Sequence, residues 1–151
     1  MRFTVFALFE ADSGYATAVR GISYTIGGDM PVTPTEFRRM ALGFPETLES
    51  SHMGHPDFRV CGKIFATLSS PGEKLGMVKL SPKQQETFVQ AEPAVYVPVN
   101  GAWGRRGCTH VRLKAAKKST LRIALVAAWC NTAPKRLAAE FAASSEGRGK
   151  P

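Results

Sequence analysis

The sequence predicts an α+β fold of two layers, an antiparallel sheet with its helices packed on one face, and three features carry that prediction. Residues 52–68 alternate apolar and polar: Phe58 and Val60, then Gly62, then Ile64, Ala66 and Leu68. This is the period-two mark of a tight hairpin. Thr33-Pro34-Thr35-Glu36 and Ser81-Pro82-Lys83-Gln84 both have a hydroxyl cap, a proline at the first helical position and Glu or Gln at the third, so each opens a helix. The order of elements is helix, strands, helix, strands, helix, which suits a sheet covered on one side and open on the other.

In chain order, residues 1–29 show scattered aromatics and glycines with no sustained period, and they read as an N-terminal extension, with Met30 as the expected domain start. From the cap at Thr33, Phe37, Met40, Ala41 and Phe44 fall at i, i+3, i+4 and i+7, one apolar face on a short helix that Gly43 and Pro45 stop; Arg38 and Arg39 face away. Residues 47–53 form a first strand leading into the hairpin, and residues 69–74 are a polar turn before a strand at 75–80. The helix opened by Ser81 runs to about Ala91 with Phe88 and Val89 inward. A short strand at 95–97 stops at Pro98, Asn100-Gly101 turns the chain, and residues 109–113 form a strand with Val111 and Leu113 inward and His110 and Arg112 outward. From Ser119, Leu121, Ala124, Leu125, Ala128 and Trp129 make a helical stripe in a run too long for a strand. A last helical turn after Pro134 has Leu137 and Phe141 inward. The domain is expected over residues 30–143, with 144–151 a flexible polar tail.

The chain has 151 residues and a net charge of +8, which suits one domain. Cysteines at 61, 108 and 130 are too dispersed for a zinc knuckle and odd in number, so a reducing, cytoplasmic setting is expected. No apolar run approaches a membrane span. Between Pro93 and Ala139 there are nine Lys or Arg residues and no Asp or Glu, a one-signed segment that attracts polyanions. On charge alone, a solvated surface that keeps the protein soluble is an equal reading.

Several stretches together resemble the MmcQ/YjbR family: ESSHMGHPDFRVCGKIFA at 49–66, MVKLSPKQQ at 77–85, WGRRG at 103–107 and AWCNTAPKRL at 128–137. The resemblance spans residues 31–139. It implies a compact α+β fold similar to that of secretion chaperones, a double-wing arrangement proposed to bind DNA, and no enzymatic activity. The leader of 29 residues and Lys117-Lys118 at a helix entry depart from the family's usual pattern.

The hairpin tip between Arg59 and Lys63 is a first basic wing. Trp103-Gly104-Arg105-Arg106-Gly107 is a second: glycines let the backbone turn, Trp103 anchors the loop by packing down, and the guanidiniums project toward phosphates. With Arg112, Lys114, Lys117 and Lys118 these make the expected nucleic-acid-binding set. The structural alternative has Trp103 in the core and the arginines stacked on it or paired with Glu86 or Glu92. Lysines at 117 and 118 oppose the dipole of the helix they precede, and a bound phosphate would relieve that. No metal or cofactor is expected: His52 and His55, three apart on an extended segment, would face opposite ways, and they read as buttressing a turn. Cys108 and His110 point the same way along a strand without an orienting third group. The expected function is non-specific DNA binding through the wings, because no helix has the side chains of a recognition helix. The alternative is a protein-binding adaptor that uses the open sheet face, with its charge directed at an acidic partner.

Overall fold

The computed structural model describes residues 31–70 and 72–147, with side chains as far as residue 144; expectations about residues 1–29 and the end of the tail lie outside the described residues. The elements are α1 (Pro34–Leu42), β1 (Thr47–His52), β2 (His55–Val60), β3 (Lys63–Leu68), β4 (Leu75–Lys79), α2 (Pro82–Ala91), β5 (Tyr96–Pro98), α3 (Ala102–Arg105), β6 (Cys108–Arg112), α4 (Lys118–Thr132) and α5 (Lys135–Gly147). Both capping boxes form. Thr33 Oγ1 accepts from the Glu36 amide at 3.2 Å while the Glu36 carboxylate accepts from the Thr33 amide at 2.9 Å, and Ser81 and Gln84 repeat the exchange at 3.2 and 2.9 Å.

The six strands make one sheet in the order β1-β2-β3-β4-β6-β5, with every neighbouring pair antiparallel. Residues directly opposite one another share a face, so the register sorts the side chains. One inner row is Phe58, Ala66, Val78 and Thr109, and the next is Leu68, Gly76, Val111 and Tyr96. Between β2 and β3 the register shifts: Phe58 pairs with Ala66 but Arg59 with Ile64. Phe65 is the extra residue, and the bulge lets Phe65 and Ala66 both enter the core. Gly76 has no side chain because Phe37 of α1 lies there; a Cβ would sit 2.8 Å from its ring.

Helix α4 lies over β3 and β4 on this inner face. It is apolar nearly all round: beyond the expected stripe, Ile123, Val126, Ala127 and Cys130 are also buried, because α1 and other elements close over the side away from the sheet. Trp129 is fully buried, stacks on Phe44 at 5.9 Å, meets Phe141 at 5.0 Å, and donates its indole N–H to the Pro45 carbonyl at 3.2 Å.

Three local expectations need correction. Helix α5 continues through Gly147, past the expected start of the tail at 144, and Ser144 Oγ donates to the Phe141 carbonyl within it. His52 and His55 do not face opposite ways. They are cross-strand partners around the Met53-Gly54 turn and so share a face; the spacing argument assumed one continuous strand. Trp103 does not pack down. It is 59% exposed, on one helical turn where a loop was expected.

Candidate nucleic-acid interface

The outer face of the sheet carries the row Asp57, Thr67, Met77, His110 and Val97, so its middle is not basic. The cations sit at its two ends. The β2–β3 hairpin tip, the end of β4 and the α3 turn emerge together: the Leu80 amide bonds to the Gly107 carbonyl at 3.2 Å, and a depression beside them is lined by Arg59, Gly62, Lys63, Ile64, Lys79, Asn131 and Thr132. Arg59, Lys63, Arg105 and Arg106 therefore belong to one end. Arg112, Lys114, Lys117 and Lys118 belong to the other, where the Leu113 amide bonds to the Lys74 carbonyl and Lys118 reaches Glu36 of α1. The strand β6 between the two groups is roughly 14 Å long at about 3.4 Å per residue. The single set expected from the sequence is thus two groups.

The α3 turn is held tightly. Gly101 starts it at φ 79°, and the Arg106 amide donates to the Ala102 and Trp103 carbonyls, both at 3.2 Å. Gly104 packs against Val99, where a Cβ would lie 1.6 Å from the carbonyl oxygen, and Gly107, at φ 109°, leaves 1.9 Å to the Leu80 oxygen. The side-chain amide of Gln85, from α2, donates to the carbonyls of Gly104 and Cys108, both at 3.0 Å. The glycines serve close backbone approach, and the indole of Trp103 projects outward. Lys79 Nζ and Arg106 Cζ lie 5.9 and 6.0 Å from the centre of the Trp103 ring.

Two of the expected phosphate ligands already have partners. Arg59 donates from Nε and Nη2 to the two Asp57 oxygens at 2.8 and 3.0 Å, and Asp57 is only 1% exposed. The pairing raises the Arg59 pKa above its usual value, chiefly through the hydrogen bond. Lys118 pairs with Glu36, and the hydrogen bond from its ammonium, followed by that from the Thr33 amide, holds the Glu36 carboxyl below its usual range. Among the described residues, Lys63, Lys79, Arg105 and Arg106 form no ion pair, so neither arginine takes Glu86 or Glu92. Lys79 was missed from the sequence, yet its place two residues after the outward Met77 marks it as outward too.

Cys108 and His110 both lie on the outer side of β6. Burial pushes the Cys108 thiol up, only partly offset by Lys79 and Arg106, which is the reverse of what activates a thiolate. The buried Cys130 thiol is pushed up to about 12. Among the described residues, no group of three or more His, Cys, Asp or Glu comes together as metal ligands would, and no helix is long and apolar enough to cross a membrane.

These features define a small two-layer α+β domain whose open sheet ends in a rigid basic turn. The chain belongs to the YjbR family, whose model matches residues 42–131. Among solved structures, it is similar to the crystal structure of protein DR2400 from Deinococcus radiodurans, a DUF419 domain, with 16% identity and a TM-score of 0.61 over 74% of this chain and 88% of that one. That likeness is one of fold. No curated protein sequence matches the chain.

Proposed function

We propose that the protein binds nucleic acid without sequence preference, gripping backbone phosphates at the end of the sheet formed by the β2–β3 hairpin, Lys79 and the α3 turn. The observation that carries this is the convergence of Lys63, Lys79, Arg105 and Arg106, four cations without an ion pair among the described residues, around one rigid turn. Phosphate contacts need charge and geometry and no base-reading element. A ligand met by these four cations releases few counterions, so log K against log salt for duplex DNA should have a slope of roughly −3 to −4.

The test is a salt titration of binding to a labelled duplex of arbitrary sequence. Measurable binding at ~50 mM salt with that slope supports the reading; no retention there defeats it. A second reading, an adaptor for an acidic protein, draws on the outer face, where Leu48 is 74% exposed and Ile64, Met77 and Val97 are half-buried. It ranks below the first because Arg59, which the register places between Leu48 and Ile64, and Thr67 interrupt that apolar surface.

A further inference from the structure

We propose that the strand held at the basic end is unpaired, and that one of its bases stacks on Trp103. The inference rests on the nucleic-acid reading above and names the form of the ligand.

Trp103 is the observation that phosphate contacts alone leave unexplained. The other tryptophan, Trp129, lies in the middle of the core, whereas Trp103 is 59% exposed. A large exposed aromatic on a mobile loop would mean little, but this one stands on a turn closed by hydrogen bonds from the amides of Arg105, Arg106 and Gly107 and locked by Gly104 and Gly107, which cannot accept a side chain. Its position is therefore set before any ligand arrives, which lowers the ordering cost of a stack.

Its neighbours have the matching charge. Lys79 Nζ and Arg106 Cζ lie 5.9 and 6.0 Å from the ring centre, at the outer limit of a cation–π contact and well beyond the ~3.5–4.0 Å of touching planes. At that distance neither cation touches the indole, and most of its surface stays open to solvent. A base laid on the indole would have its flanking phosphates within reach of these two cations, with Arg105 and Lys63 farther along the same end. Bases inside a duplex keep their faces stacked on one another, so only an unpaired nucleotide can use this platform. Every base has such a face, so sequence tolerance follows.

The test compares a labelled oligothymidine of about 15 nucleotides with a duplex of equal length, using the full chain as wild type, Trp103→Ala, Trp103→Phe and the pair Arg105→Ala/Arg106→Ala. Trp103→Ala is expected to weaken single-strand binding about 5- to 100-fold and to leave duplex binding within about twofold, while Trp103→Phe keeps most of the affinity. The arginine pair should weaken both ligands. Indole fluorescence gives an independent readout: the single strand should quench the wild type, and the quench should vanish in Trp103→Phe. A uridine oligomer should show the same Trp103 dependence. If Trp103→Ala leaves single-strand binding unchanged, or weakens strand and duplex alike, the stacking proposal is overturned while the phosphate reading stands. If the wild type binds neither ligand, the phosphate reading itself has failed.

Discussion

Cys61 and Gly62, at φ 49° and 81°, form the two-residue loop between β2 and β3, the type I′ geometry that favours Asn-Gly. Replacing Gly62 with Ala puts a Cβ into the left-handed region and should cost about 1–2 kcal/mol in urea unfolding, whereas Cys61→Asn should be neutral or stabilising. Arg59, three residues before that glycine in the hairpin's first strand, is a poor target for testing phosphate binding. Its removal leaves the buried Asp57 carboxylate without its bidentate partner, so Arg59→Ala should lower the melting temperature even with no nucleic acid present. Glu36 ties the start of α1 to Lys118, and its pKa is depressed in the folded state relative to the ordinary 4.5. A depressed carboxyl stabilises the fold above its unfolded pKa, and that contribution is lost as pH falls through the folded value. Melting temperature should therefore fall more steeply below about pH 4.5 in the wild type than in Glu36→Gln. The same pairing means that glutamate at Lys118 would face Glu36 and disturb stability along with any binding.

At the scale of elements, α4 and α3 place the two tryptophans in opposite roles. Trp129, enclosed by Phe44, Phe141 and the Pro45 carbonyl, should cost about 3–5 kcal/mol when replaced by Ala; Trp103→Ala should change stability by less than about 0.5 kcal/mol. Chemical denaturation of both variants checks the contrast. The regular elements were readable from the sequence because their signals are local. Thr33 and Glu36, or Ser81 and Gln84, lie within one turn of each other, and the alternation along β6 reports its own buried face; along β3 it misled, because the bulge at Phe65 turns Ile64 outward. The α3 turn was not readable, because its shape depends on Gly104 meeting Val99, Gly107 meeting Leu80, and the reach of Gln85 from α2. Without those contacts, the hydrophobicity of Trp103 argues for burial. The roles of Arg59 and Lys118 were hidden for a related reason. Asp57 lies two residues from Arg59, but the bulge and burial that commit it are tertiary, and Glu36 is far from Lys118 in sequence.

For the whole molecule, the distribution of charge matters more than its total of +8. The one-signed segment between Pro93 and Ala139 folds back across the sheet, so Arg105 and Arg106 are separated from Arg112, Lys114, Lys117 and Lys118 by the length of β6, with Met77, His110 and Val97 between them. The β2–β3 hairpin and Lys79, which precede that segment, join Arg105 and Arg106 at one end; Arg112, Lys114, Lys117 and the committed Lys118 occupy the other. A ligand confined to phosphate contacts at the first end should be nearly indifferent to the second. The most direct measurement is the salt dependence of DNA binding by two double variants, Arg105→Ala/Arg106→Ala and Arg112→Ala/Lys114→Ala, beside the wild type. The slope of log K against log salt should flatten by about two contacts in the first variant and stay close to the wild-type value in the second. Equal flattening in both, or a larger change in the second, would contradict an interface centred on the α3 turn.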